Sequence, residues 1–189
     1  MTDTVAYVGI MAPALMTAEE LLHLNIQDKR SELVRGQLIV REPAGFAHGV
    51  VASRIGEEMV TFVRAQGLGI VVAAETGFTL AQNPDTVRAP DAGFVRRERV
   101  PDPLPRGYAP MAPDLVVEVL SPDDRPGEVL AKVADWLRAG TALVWVVDPI
   151  RRSARTYRAD GTESYHGEHD SLDGEDVLPG FALPLAAIL

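Results

Sequence analysis

Apolar and polar residues along the chain alternate in two registers, one of period two and one of helical period. Thr17-Ala-Glu-Glu20 precedes Leu21, Leu22 and Leu24. This is a capping-box start, in which threonine and glutamate satisfy each other's backbone amides, and it predicts a short helix. Ser31–Arg35 and Gln37–Arg41 are apolar-rich segments around Arg35-Gly36, which predicts a hairpin. From Ala47 to Gln66, Val50, Val51, Ile55, Met59, Val60, Phe62 and Val63 recur at helical spacing, and Gly67 supplies the C-terminal stop.

Ile70–Ala74 and Gly77–Leu80 read as strands broken near Glu75-Thr76-Gly77, and Asn83-Pro84-Asp85 reads as a turn. Val87–Val95 is the next strand, interrupted at Ala89-Pro90-Asp91 because proline cannot donate to the ladder. Pro101–Pro113 holds five prolines and a glycine, which predicts a long loop able to act as a mobile flap. Asp114-Leu-Val-Val-Glu-Val-Leu120 is a short apolar run bounded by Pro113 and Ser121-Pro122, the pattern of a buried central strand. An amphipathic helix over Pro126–Ala139 follows, then a second buried strand over Ala142–Val147. Strand, helix and strand in that order predict a crossover joining parallel neighbours. Arg155–Tyr157 and Ser164–His166 read as short edge strands around Asp160-Gly161, and the tail beyond them as irregular. The sum is an α/β chain, with a lead-in over residues 1–15 and a single domain over residues 16–189.

Composition narrows the chemistry. The 189 residues include no cysteine, which excludes a disulfide scaffold, a thiolate zinc site and a cysteine nucleophile, and fits a reducing cytoplasm. No segment approaches the ~20 apolar residues of a membrane helix, and Met1–Met16 lacks the basic start of a signal peptide. The expectation is a soluble cytoplasmic protein. A formal net charge of −9 speaks against simple coating of DNA. The basic residues are clustered, however, at Arg96, Arg97 and Arg99 and again at Arg151, Arg152, Arg155 and Arg158.

Three residues stand out against this background. Glu118 lies inside the most apolar strand, on the same face as Val116 and Leu120; burying its charge is costly unless a cation compensates. Asp91 follows the proline that breaks its strand, where a carboxylate can be aimed into a cleft, although Pro-Asp is also a common turn pair. At about 100° per residue, with Val129 at zero, the residues Leu130, Val133, Trp136 and Leu137 span an arc from about −20° to about 100°. Lys132 falls at about −60°, on the border of the buried face, and Asp135 and Arg138 lie farther round toward solvent. Singly, each has an ordinary structural reading. Together, two carboxylates on core strands and an ammonium on the helix above them make a hard-oxygen site for a divalent cation, the kind magnesium occupies with water and substrate phosphate.

The chain resembles the Uma-two (Uma2) family of restriction-endonuclease-like proteins, within the PD-(D/E)XK nuclease superfamily. The matching blocks include Met16-Thr-Ala-Glu-Glu-Leu-Leu22, Ser31-Glu-Leu-Val-Arg-Gly-Gln-Leu38, Ala47-His48 and Ala89-Pro-Asp-Ala-Gly-Phe-Val95. They continue through Ala112-Pro-Asp-Leu-Val-Val-Glu-Val-Leu-Ser-Pro122, Lys132 in its helix, and Ala139-Gly140 to Trp145-Val-Val-Asp-Pro149. The resemblance implies a restriction endonuclease-like mixed β-sheet flanked by helices, with the hairpin and short edge strands added. It implies Asp91 and Glu118 as metal ligands, Lys132 as the catalytic lysine moved from strand to helix, and Glu32 as an upstream acidic residue completing the site. The strand position two after Glu118 is Leu120, so the lysine usual there is missing. His48 matches the family's histidine at the start of the long helix, and Glu75 is a supporting candidate.

The expectation is therefore a Mg²⁺-dependent DNA endonuclease, with Mn²⁺ able to substitute, hydrolysing phosphodiester bonds through an activated water. The arginine clusters and the flap would neutralise the substrate, and a homodimer would reach both strands. A DNA-binding or regulatory module on the same fold, with weak or lost cleavage, is the alternative; a magnesium-dependent hydrolase of small phosphate esters is a third class. Ser121 has no His-Asp relay, Asp148 reads as a turn former, and His166, Glu168, His169 and Asp170 read as a solvated loop.

Overall fold

The computed structural model describes residues 14–189, so of the lead-in only Ala14 and Leu15 lie among the described residues. The first half of the chain forms α1 (Ala18–His23), β1 (Arg30–Val34), β2 (Gln37–Arg41), α2 (Phe46–Gln66), β3 (Gly69–Ala73), β4 (Phe78–Ala81), β5 (Thr86–Arg88) and β6 (Ala92–Arg96). The second half forms β7 (Leu115–Val119), α3 (Pro126–Arg138), β8 (Leu143–Asp148), β9 (Ser153–Arg158), β10 (Glu163–Gly167), β11 (Ser171–Asp173), β12 (Ala182–Pro184) and α4 (Leu185–Ile188).

A six-stranded sheet in the order β10-β9-β8-β7-β6-β3 carries the core. It is mixed: β7 and β8, joined through α3, are parallel, and their neighbours are antiparallel. Every residue of β7 and β8 is buried, because helices cover both faces. Leu115, Val117, Val119, Leu143, Trp145 and Val147 belong to the cluster that includes Val51, Ile55, Met59 and Val63 of α2. Val116, Val144 and Val146 pack with Val133 and Trp136 of α3 on the other face. Strand alternation therefore directs Glu118 toward α3.

A second sheet, β2-β1-β5-β4, stands beside the first. Its hairpin pairs Val34 with Gln37 and turns through Arg35 (φ 50°) and Gly36 (φ 76°). Gly36 is required twice over, since a Cβ there would also lie 2.6 Å from that of Leu15. The interruption at Ala89-Pro90-Asp91 is the crossing between the sheets. β5 before it pairs with β1 and β4, whereas β6 after it pairs with β3 and β7. The amide of Asp91 already donates to the Val117 carbonyl (3.0 Å), which holds Asp91 at the point where the backbone changes sheets.

Two expectations are corrected. The tail is not irregular: it forms β11, β12 and α4, and Leu172, Leu178, Phe181, Leu183, Leu185 and Ile188 complete the core on the α2 side. Its segments are too short for any period to show. The Pro101–Pro113 loop is free only over residues 102–107. Beyond that, Ala109 exchanges backbone hydrogen bonds with Gly77 and Thr79, and Ala112 is buried. Among the described residues no helix is long and apolar enough to cross a membrane.

Candidate active site

Glu118, on β7, is 7 % exposed and receives two hydrogen bonds from α3. Trp136 donates its indole N–H to Oε1 (2.7 Å), and Lys132 donates to Oε2 (2.9 Å). The Lys132 ammonium also donates to the Ala89 carbonyl (2.9 Å) and lies 3.1 Å from Glu32 Oε1. Two of the ammonium hydrogens are thus donated, and Glu32 adds an ion pair. Glu32 is equally engaged: its Oε1 also accepts from the Ala89 amide (3.0 Å), and its Oε2 from Arg88 (2.8 Å). Arg88 in turn reaches Asp135 Oδ2 with Nη2 (2.6 Å) and Nε (3.1 Å). Glu32 and Lys132 thus clamp both backbone groups of Ala89, the first residue of the crossing.

Asp91 closes the crossing from the other side. Its Oδ2 accepts from the Val119 amide (2.7 Å) and lies 3.1 Å from His48 Nε2. A carboxylate only accepts, so Nε2 carries the hydrogen. The His48 Nδ1 is buried without a hydrogen-bond partner among the described residues. Asp91 Oδ1 accepts no hydrogen bond among them either, and Asp91 borders each of the cavities that meet at this point.

Burial pushes Glu118 up; Lys132 offsets part of this, Asp91 and Glu32 add to it, and the result is about 7. Burial acts on Glu32 in the same direction but is outweighed by Lys132, Arg88 and the Ala89 amide, leaving it at about 2. Burial lowers Lys132, but Glu118, Glu32 and Asp91 outweigh it, so its ammonium holds its proton more tightly than usual. Three carboxylates share one lysine, and Glu118 is the one left short of compensation. A cation beside Glu118 and Asp91 would supply it.

The donor set fits magnesium. Glu118 has a lone pair left on each oxygen, and Asp91 has a whole oxygen free. Among the described residues no three His, Cys, Asp or Glu side chains form a ready-made cage. Both oxygens of Glu32 are engaged by Ala89 and Arg88, and Glu32 lines a small cavity with Asp91 and Lys132.

The other candidates fall in different places. Glu75 (φ 66°) lies at the cleft mouth, 3.8 Å from Arg30. Burial raises its carboxyl; Arg30 opposes this, and the charge of Asp91 adds to it. Six of the seven clustered arginines pair with carboxylates other than those of the site. Arg99 and Arg96 hold Asp114, at the opposite end of β6 and β7 from Asp91 and Glu118. Arg151, Arg152, Arg155 and Arg158 pair with Asp148, Glu168, Glu163 and Glu175. Asp148 does shape a turn, accepting from the amides of Ile150 and Arg151, and His166 lies 3.0 Å from Thr156 Oγ1 within the edge hairpin.

Sequence reasoning misplaced Asp135, expected toward solvent but drawn in by Arg88 to 11 % side-chain exposure. It also counted Trp136 only as core. The signal was there: Trp136 stands one helical turn beyond Lys132, and a buried indole N–H needs an acceptor. Arg88 carried no such signal, because its partners come from β1 and α3.

Fold and site together define a restriction endonuclease-like α/β protein, with its acidic cluster where two sheets meet. The family model Uma2, described as "Putative restriction endonuclease", matches residues 18–186, and the chain belongs to this family. A crystal structure described as "a putative nuclease" from Anabaena variabilis shares the fold. It has a TM-score of 0.79 and 22 % identity, with 92 % of this chain and 97 % of that chain covered. No curated protein matches the chain.

Proposed function

We propose that the protein is a Mg²⁺-dependent DNA endonuclease, with Mn²⁺ able to substitute. Asp91 and Glu118 would hold the ion, Lys132 would be the catalytic lysine, and Glu32 would fix that lysine in place. The observation that carries this reading is the pairing of Asp91, one oxygen free among the described residues, with an undercompensated Glu118 beside the half-buried Lys132. When bound, the ion would polarise a phosphodiester oxygen and acidify the attacking water.

The chain's own residues do the rest. Val119 and His48 orient Asp91 through Oδ2, leaving Oδ1 toward the cleft. Trp136 and Lys132 fix both oxygens of Glu118. Lys132 acts through its charge, which opposes the negative charge that builds on the phosphorus oxygens as water adds. The reaction is hydrolysis: an oxygen–phosphorus bond forms from water, the bond to one sugar oxygen breaks, and that oxygen takes up a proton. The cysteine-free chain fits a cytoplasmic setting, and cutting both strands of a duplex would call for a homodimer.

The test is incubation of supercoiled plasmid with Mg²⁺, Mn²⁺ or EDTA, beside Asp91→Ala and Lys132→Ala. Metal-dependent nicking that both variants lose is expected. Cleavage that survives in both variants sinks the assignment.

The second reading, a DNA-binding or regulatory module with weak or lost cleavage, draws support from the net charge of −9, which weakens the non-specific attraction to DNA that a nuclease needs. It predicts DNA binding that weakens steeply with salt, with little or no metal-dependent nicking.

A further inference from the structure

A cleft of about 890 Å³ opens beside Asp91 and His48, larger than the carboxylate network needs. One wall is α2 and the other is β3, with the segment from Asn25 to Arg30 across one side. Its size is that of sites that enclose a small ligand, typically ~300–1,000 Å³, and far below what a duplex would occupy.

The cleft exists because one face of α2 is kept small. Gly49, Ser53, Gly56 and Val60 line it, and a Cβ added at Gly49 or Gly56 would meet nothing within 4 Å. Glycine is the poorest helix former after proline, so packing does not account for either one. At about 100° per residue, Phe46 falls on this same face, one turn before Gly49. It is 90 % exposed at the start of α2, where Pro43 and Ala44 border the cleft. The facing wall, Val71 and Ala73 of β3, is apolar. Toward the carboxylates the cleft reaches His48, whose buried Nδ1 lacks a partner among the described residues.

This shape does not suit intact duplex DNA. The arginine clusters that would track two backbones are bound to carboxylates of the chain itself, and the net charge is −9. An apolar slot continuous with the carboxylate pair, with an exposed aromatic ring at its mouth, instead suits a base removed from its stack. Stacking on an aromatic side chain holds an unpaired base whatever its identity, because every base has a π-face.

We propose that this cleft seats one unpaired nucleotide of the substrate, its base between α2 and β3 and a neighbouring base stacked on Phe46. The chain then acts on single-stranded or locally unpaired DNA. This inference rests on the nuclease reading above and specifies its substrate.

The test compares three labelled DNAs of one sequence: a single strand, a blunt duplex, and a duplex with one bulged nucleotide. Binding is followed by fluorescence anisotropy in EDTA, and cleavage in Mg²⁺ or Mn²⁺. The single strand and the bulged duplex should bind and be cut at least tenfold better than the blunt duplex. Phe46→Ala should weaken single-strand binding about tenfold, within the range for loss of one stacked base, and Phe46→Trp should preserve it. Gly56→Leu should fill the cleft and abolish the preference, while its melting temperature stays at or above wild type, since leucine favours helix. Blunt duplex cut as well as the other two, or a preference untouched by Phe46→Ala and Gly56→Leu, would overturn the inference and leave the nuclease reading standing. Failure to cut any of the three DNAs would overturn both.

Discussion

His48 and Asp91 meet across 3.1 Å, Nε2 to Oδ2, and so tie the first turn of α2 to the crossing between the two sheets. The contact is buried on both sides, with side-chain exposures of 8 % and 9 %. With the Val119 amide it takes up Oδ2 and leaves Oδ1 as the free oxygen. His48→Ala should therefore loosen the carboxylate without removing it. Groups that orient a metal ligand typically contribute 10–100-fold to affinity or activity. Titration calorimetry with Mn²⁺ should show a loss of that order, with the fold retained by circular dichroism. Unchanged affinity would make the histidine purely structural.

Trp136 and Glu118 form the second dependency. Trp136→Phe keeps an aromatic ring in the core but removes the hydrogen on Glu118 Oε1. Losing a partner to a buried acceptor costs about 1–3 kcal/mol, so denaturant unfolding without metal should register that loss. The same substitution should raise the pH at which metal binds, because Glu118 loses a group that favours its ionised form. A variant as stable as wild type, with unchanged pH dependence, would contradict this role.

Glu118 and Glu32 titrate in opposite senses. The Glu118 value is raised from 4.5 to about 7, so its contribution to stability is full below pH 4.5 and lost as pH rises through 7. The Glu32 value is lowered from 4.5 to about 2, so its contribution is full above pH 4.5 and lost as pH falls toward 2. In EDTA, stability should therefore decline between pH 5 and 8 by about 1–3 kcal/mol relative to Glu118→Gln, which cannot titrate. The metal must displace the Glu118 proton, so stabilisation by Mg²⁺ should be larger at pH 8 than at pH 5. A Mg²⁺ effect equal at both values would remove Glu118 from the metal site.

The tail should behave as core. Phe181 packs against Trp145 with ring centroids 6.1 Å apart and against Phe62 at 5.2 Å. Phe181→Ala should cost about 3–5 kcal/mol, and a chain ending at Gly167 should lose its cooperative thermal transition. A truncated protein that melts like the full chain would show that the segment contributes nothing.

Much of this protein is legible in its sequence, because local physics decides it. The helical spacing over Ala47–Gln66 and the start at Pro126 became α2 and α3 with ends within a residue of expectation. The break at Pro90 was visible because a proline has no amide, and the burial of Glu118 because its neighbours on β7 are all apolar. The order of strand, helix and strand implied that β7 and β8 are parallel, as they are. What no local pattern held is which chain segments converge. That the Pro90 break is a crossing between sheets depends on which strands pair on either side of it.

Only the tertiary structure brought Arg88 and Asp135 together, paired most of the clustered arginines with carboxylates, and turned the tail into core. Periodicity reports the environment of one segment at a time. The partner of a buried charge is set by residues far along the chain, and that partner decides whether a carboxylate is left free for a metal.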